Sequence, residues 1–254
     1  MKIGFPNHPR NDLVKEIKWI GKNNFDFVDI FIEEDQATPE QIDVRNAVKL
    51  LREYNLEVVG HTAWYMPIGS ASKALRSTAV QEIAKCFDVF SNLGVKLVTV
   101  HADWQSGMFS VDEGVRFQSE SLSELIEQAE KQGIDLMYEL TVSKENNVEN
   151  VSKVLEAVPK IYFHLDIGHA NLNNNSPEQF VKQFHTRLRH VHASDNDGYR
   201  DLHMPVGCGN VDWEKTLRAL KDCYDGTITL EIFSADRDYV LLSKQKLKRL
   251  WEAL

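Results

Sequence analysis

Cysteine is scarce in this chain: Cys86, Cys208 and Cys223 are the only three in 254 residues, widely spaced and odd in number. That excludes a disulfide-stapled framework and points to reduced thiols in a chain of ordinary intracellular composition. Long apolar runs are absent as well. None approaches the roughly 18 residues of a membrane-crossing helix, and the opening Lys2-Ile3-Gly4-Phe5 lacks the apolar stretch of a secretory leader. A cytoplasmic protein with no membrane partner is expected. Basic charge is also in deficit, with 29 Lys and Arg against 38 Asp and Glu and a net charge of −9. This disfavours a general nucleic-acid or anionic-membrane binder, although basic side chains can still cluster locally. What remains is a chain with 43% hydrophobic residues and no low-complexity segment. It can bury a large core, and its length suits one eightfold α/β barrel occupying residues 1–254 as a single domain.

Short apolar runs alternate with amphipathic segments of helical spacing from end to end, the pattern of repeated βα units. Eight strands are predicted: Lys2 to Phe5, Phe27 to Phe31, Glu57 to His61, Leu97 to His101, Asp135 to Glu139, Ile161 to Asp166, Leu188 to His192 and Thr227 to Glu231. Eight is the number that closes a (β/α)8 TIM barrel of parallel strands. Thr38-Pro39-Glu40-Gln41 and Ser176-Pro177-Glu178-Gln179 each read as a helix start, with a capping hydroxyl, proline at the first helical position and Gln three residues on. Gly94 and Gly133 are expected to end helices in left-handed caps, with Gly21 and Gly226 as weaker versions. The longest connection, Ala193 to Asp212, carries three glycines, and a loop of that length in a compact domain is usually functional.

Six of the eight strands run into a residue that a divalent metal can use: His61, His101, Glu139, Asp166, His192 and Glu231. In a parallel barrel all strand C-termini gather at one face, so ligands far apart in sequence converge. Singly, a His at a strand end reads as a hydrogen-bonded structural residue and a Glu as a solvated one. Together, the ends of the last four strands bring three carboxylates into one concave site, which is costly unless a cation compensates them. Alternation puts His164 one layer beneath Asp166 and His190 beneath His192, where both read as buried, hydrogen-bonded barrel residues rather than ligands. Thr99 under His101 and Thr229 under Glu231 are placed to support the ligands above them.

The segments Asp166-Ile167-Gly168-His169-Ala170, His190-Val191-His192-Ala193-Ser194-Asp195-Asn196 and Leu230-Glu231-Ile232-Phe233 resemble the xylose isomerase-like TIM-barrel superfamily, which includes sugar isomerases, sugar epimerases and endonuclease IV. The resemblance spans essentially the whole chain. In the sugar-processing members one Zn, Mn, Co or Mg ion is held by residues that match Glu139, Asp166, His192 and Glu231. The extra ligands of the three-zinc endonuclease match His61, His101, His169, Asp201 and His203. By that resemblance His61, His101 and Glu139 would hold one ion, the Glu-Asp-His-Glu set a second, and His169, Asp201 and His203 a third, giving one to three ions. Such imidazole and carboxylate mixtures suit zinc or manganese better than magnesium alone.

The resemblance implies a divalent-metal-dependent isomerase or epimerase of a small sugar or sugar phosphate, acting through an enediolate at the C-terminal barrel mouth. Glu139 and Glu231 would remove and return the proton, and His169, or His203 from the long loop, would polarise a substrate oxygen. The alternative is a zinc-dependent phosphodiesterase of the endonuclease IV type. Against it stand Glu33-Glu34-Asp35 after strand two, where the endonuclease carries basic and polar residues, and Cys208, which replaces a family glutamate and reads here as a small loop residue. Glu33 would instead face a hydroxyl-rich substrate, or be part of a solvated acidic loop. Trp64, Tyr65 and Trp104 follow the strand-end histidines and offer aromatic surfaces to a sugar or a flipped nucleotide, or simply cover the barrel top. His61 and His101 are substrate-binding candidates too. Arg200 is the nearest candidate for a phosphate or carboxylate contact, against a plain reading as a solvated loop arginine. A small carbohydrate is the expected partner, nucleic acid is not, and self-association into a homo-oligomer is left open.

Overall fold

The strands close in sequence order, β1-β2-β3-β4-β5-β6-β7-β8, each parallel to its neighbours and β8 to β1. This computed structural model describes residues 1–105 and 107–254. The elements run β1 (Lys2–Pro6), α1 (Leu13–Lys22), β2 (Phe27–Ile32), α2 (Val44–Glu53), β3 (Glu57–Thr62), α3 (Lys73–Leu93), β4 (Leu97–His101), α4 (Val111–Lys131) and β5 (Asp135–Glu139). They continue α5 (Val148–Ala157), β6 (Tyr162–Asp166), α6 (Ile167–Ala170), α7 (Pro177–Phe184), β7 (Leu188–Ala193), α8 (Trp213–Lys221), β8 (Thr227–Leu230) and α9 (Asp238–Ala253). It is the expected (β/α)8 TIM barrel, with each expected strand found to within one residue at either end. Among the described residues, no helix is long and apolar enough to cross a membrane.

Alternation along the strands sorts the core into two parts. On β2, Val28, Ile30 and Ile32 belong to the large layer between barrel and helices, while Phe27 joins Val59 and Met137 in a small apolar floor inside the barrel. Gly4 makes room for that floor, since a Cβ there would lie 2.4 Å from the Phe27 ring. Above the floor the interior turns polar, and the functional residues stand on that layer.

Helix ends follow local chemistry. Asp12, Asp43, Asn147 and Asp212 cap α1, α2, α5 and α8 through their side chains, and Ser110 with Glu113 forms a capping box on α4. Ser176 and Pro177 start α7 as expected, although the Ser176 hydroxyl bonds Glu178 rather than the backbone. Thr38-Pro39 does not start a helix: it makes one turn, closed by Gln41 N and Ile42 N on the Thr38 carbonyl, and α2 begins after Asp43. Gly94 (φ 84°) and Gly133 (φ 67°) take the left-handed turns assigned to them. Gly21 lies inside α1 against the Tyr54 ring, and Asn24 (φ 55°) makes the turn instead. All three cysteines are free.

Candidate metal centre

Glu139, at the end of β5, is where the strand-end ligands meet. Its Oε2 faces His61 Nε2 at 3.2 Å and His101 Nε2 at 3.1 Å, and its Oε1 faces His192 Nδ1 at 3.2 Å. His192 Nδ1 is also 3.0 Å from Glu231 Oε2 and 3.8 Å from Asp166 Oδ2. Barrel register makes this convergence unavoidable: His101 pairs with Glu139, and Asp166 with His192, across neighbouring strands. The atoms offered by Glu139, Asp166, His192 and Glu231 all lie within 4.8 Å of one another, and all four residues are buried.

Local structure aims each group. Asp166 ends β6 and caps the single turn α6, its Oδ1 accepting from His169 N at 2.7 Å, while Oδ2 is buried without a hydrogen-bond partner. His192 donates from Nε2 to Asp29 Oδ2 at 2.8 Å, which leaves Nδ1 for the carboxylate cluster. A carboxylate behind a histidine in this way is the usual outer support of a metal ligand. Phe31 stacks on His61 at 3.8 Å and holds its ring flat against the wall of the barrel mouth.

A second group forms beside the first. His169 and His203 both direct Nε2 at Asp201 Oδ2, at 3.3 and 3.1 Å, while their Nδ1 hydrogens go to the carbonyls of Leu140 (2.8 Å) and Glu231 (3.0 Å). With Nδ1 so committed, each ring turns Nε2 toward the cavity and Asp201, where it donates when the ring is protonated and is available to a cation when it is neutral. His203 has φ 43°, an uncommon left-handed backbone for a non-glycine residue and the kind of strain that gathers at functional sites. Asp195, fully buried, secures the surrounding loop: its carboxylate accepts from Gly207 N, Val211 N and Trp213 Nε1 at 2.7, 3.1 and 2.8 Å. The resulting third grouping, His169, Asp201 and His203, and the grouping of His61, His101 and Glu139, each lie within metal-ligating reach.

The electrostatics show how far these charges depend on one another. Burial works to raise Glu139, yet His164, His192 and His101 hold it well below the usual carboxylate range. Burial likewise opposes the ionised form of Glu231, and His192 with His203 still brings it down to about 2. Asp166 goes the other way: burial, against the pull of His169 and reinforced by Glu231 and Glu139, pushes it up to about 7. His169 and His203 overcome burial through neighbouring carboxylates and rise to about 10 and about 9. Three carboxylates around one point, one of them disfavouring its own charge and leaving a buried oxygen unpartnered, are a donor set that fits a divalent cation.

His164 and His190 lie beneath, fully buried. His164 Nδ1 bonds Thr99 (2.9 Å), and His190 bonds Thr227 (2.7 Å), Asp29 (3.2 Å) and Thr229 (3.1 Å). Thr99 and Thr229 thus support this lower layer of histidines, not His101 and Glu231 above them. Asp29 is the residue that sequence reasoning missed. It is fully buried, and His190 and His192 hold it well below the usual range despite burial.

Over the candidate metal groups opens a cavity of about 1130 Å³, lined by His61, His101, Glu139, His169, Asp201, His203 and Glu231 and, around them, by Glu33, Trp64, Tyr65 and Trp104. Glu33 is largely buried, its Oε1 4.0 Å from His61 Nδ1, and burial pushes it up to about 7. Glu34 and Asp35 are exposed and do not line the cavity. Arg200 is a correction to the expected site. It points to solvent, bonds the Asp197 carboxylate at 2.9 and 2.7 Å, and is not in the lining.

A closed eight-strand barrel with a polydentate acidic and imidazole centre at its C-terminal mouth defines a class of TIM-barrel proteins, and the family comparison makes it specific. Residues 17–252 match the family model of the xylose isomerase-like TIM barrel, and the chain belongs to that family. An uncharacterised protein of Methanocaldococcus jannaschii is 30% identical over 86% of this chain and 78% of its own length. The L-ribulose 3-epimerase of Methylomonas sp. is 28% identical, covering 87% of this chain and 79% of its own. The fructoselysine 3-epimerase of Escherichia coli O157:H7 is 26% identical over 74% and 73%. A crystal structure of a D-tagatose 3-epimerase-like protein superposes with a TM-score of 0.85 at 28% identity, covering 100% of this chain and 98% of that one. The characterised relatives among these are sugar epimerases.

Proposed function

We propose that this protein is a divalent-metal-dependent epimerase of a small ketose, with the cation held by Glu139, Asp166, His192 and Glu231. The observation that carries the reading is the buried meeting of these four side chains, with Asp166 Oδ2 unpartnered, at the floor of an aromatic-walled cavity. The epimerase relatives support the same chemistry. When bound, such a cation supplies positive charge that polarises a sugar carbonyl and acidifies the neighbouring C–H. Glu139 and Glu231 lie on either side of His192 and are held in the ionised form that accepts a proton. One removes the proton from a face of the sugar. The other takes up a proton from solvent during turnover and delivers it to the opposite face, inverting the centre through an enediolate, and the first returns its proton to solvent. His169 and His203, at the cavity wall, donate hydrogen bonds to the sugar oxygens.

A hydrolase reading retains one support, because the three ligand groupings expected of a three-zinc phosphodiesterase are assembled. The cavity opposes it. Among the described residues its lining carries no lysine and one guanidinium, Arg237, tied to Glu16 by two contacts of 2.8 Å, so apart from the His169–Asp201–His203 group a polyphosphate backbone meets acids. Metal analysis tests the proposal: protein purified without chelator should hold at least one divalent ion per chain, lost in Asp166→Asn. A chain that takes up no ion while folded would end it.

A further inference from the structure

The connection from β8 to α9 runs along the cavity wall. It starts at Glu231 among the candidate metal groups, passes Phe233, whose ring stacks on His203 with centroids 4.1 Å apart, and ends at Arg237, all three lining the cavity. Arg237 is held from two sides. Its guanidinium carbon lies 4.6 Å from the centre of the Trp19 ring, which packs in turn on Phe5 and Phe25 with centroids 5.4 and 5.9 Å away. Its Nη2 donates to both Glu16 oxygens at 2.8 Å, and the buried Glu16 also accepts from Asn11 Nδ2 at 3.1 Å and His8 N at 3.3 Å.

The way this pair is made leaves donors over. An arginine in the usual two-pronged pair with a carboxylate presents two nitrogens side by side, one to each oxygen. Here one nitrogen serves both oxygens, and Nε and Nη1 have no hydrogen-bond partner among the described residues, on a side chain that is 30% exposed and lines the cavity. The ring stack and the ion pair fix the guanidinium plane, so these donors are in place before a ligand arrives. Glu16 offsets the guanidinium charge. An anion would meet that carboxylate as well as the cation, whereas a hydroxyl oxygen accepts the N–H bonds without the repulsion. A sugar with its carbonyl at the candidate metal groups has the rest of its chain to lay along this wall. We propose that Arg237 is a specificity-determining residue that donates from Nε and Nη1 to the terminal hydroxyl of the sugar, remote from the carbonyl. The inference rests on the proposed sugar chemistry of the site, and adds the residue that selects a sugar ending in a free hydroxyl over one ending in a methyl or a phosphate group.

The test uses the four D-2-ketohexoses, each with its 6-deoxy counterpart, which ends in a methyl group, and its 6-phosphate. Calorimetric titration of the metal-loaded protein should show the best-bound ketohexose binding at least ~10-fold more tightly than either analogue, since a hydrogen bond from a charged donor supports a difference of that order. Arg237→Met should bring the hydroxyl-to-methyl ratio toward one by weakening the hydroxyl-bearing sugar. That substitution strands the buried Glu16, so Glu16→Gln/Arg237→Met is titrated beside it and should give the same ratio, while the ratio in the unaltered protein needs no variant at all. Equal binding of ketohexose and 6-deoxy sugar by the unaltered protein, a preference that survives both variants, or tighter binding of the 6-phosphate would overturn the inference. Solvent exchange of the sugar C–H in the same ketohexoses reports separately on the chemistry. Exchange without hydroxyl preference sinks the role of Arg237 alone, preference without exchange sinks the epimerase reading alone, and no binding of any ketohexose ends both.

Discussion

At the scale of single residues, Asp29 has the largest effect for the least visibility. It lies one layer under the candidate metal groups, accepts from His190, His192 and Thr229, and stands behind His192 on the side away from the cavity. Replacing it by Asn keeps its volume but removes the charge that fixes the His192 ring with Nδ1 toward Glu139 and Glu231. Such outer supports are worth about 10–100-fold in metal affinity. Asp29→Asn is therefore expected to weaken metal binding by that range in a competition titration, with far-ultraviolet circular dichroism unchanged. Undiminished affinity would show that ring packing alone orients His192. The residue was legible in principle, because in Phe27-Val28-Asp29-Ile30-Phe31-Ile32 a period of two puts Asp29 on the same inward face as Phe27 and Phe31.

At the scale of elements, the strands were readable because all are short apolar runs, six of the eight as read in the sequence ending on a polar residue, and the barrel buries both strand faces. Helix starts were less so. Thr38-Pro39 has the cap signature, but the apolar face of α2, Ala47, Leu50 and Leu51, begins later, and Asp43 offers Asn46 N a carboxylate acceptor at 3.0 Å. The groups that converge at the barrel mouth were legible through strand ends and the family resemblance, whereas Arg200 was placed beside them although its partner, Asp197, lies three residues away on the same loop. That loop, from β7 to α8, carries Asp201 and His203 and hangs on Asp195. Asp195→Ala would leave Gly207 N, Val211 N and Trp213 Nε1 without their acceptor. Hydrogen bonds to a charged group contribute about 1.5–3 kcal/mol each, and donors left buried add to the loss. The variant should melt several degrees lower and lose hydrogen-exchange protection across residues 195–212 while the barrel strands keep theirs. Unchanged protection there would show that the loop is held by packing instead.

At the scale of the whole molecule, the barrel divides its labour along its axis: an apolar floor, a layer of hydrogen-bonded histidines with Asp29, then groups that could hold a metal beneath an open aromatic and acidic cavity. The lower layers hold charge and orientation, so that the upper one can bring three carboxylates to one point, an arrangement stable only with compensating positive charge. Epimerisation follows if Glu139 and Glu231 exchange protons with opposite faces of a bound ketose. The most direct measurement is deuterium incorporation from solvent into the carbon-bound position next to the carbonyl of a ketose, followed by nuclear magnetic resonance. Metal-loaded protein should catalyse it, chelation should abolish it, and Glu231→Gln should slow it by at least ~10²-fold, the usual contribution of a positioned general base. Incorporation that survives both treatments would contradict the account. So would its absence across ketoses alongside zinc-dependent nicking of abasic DNA.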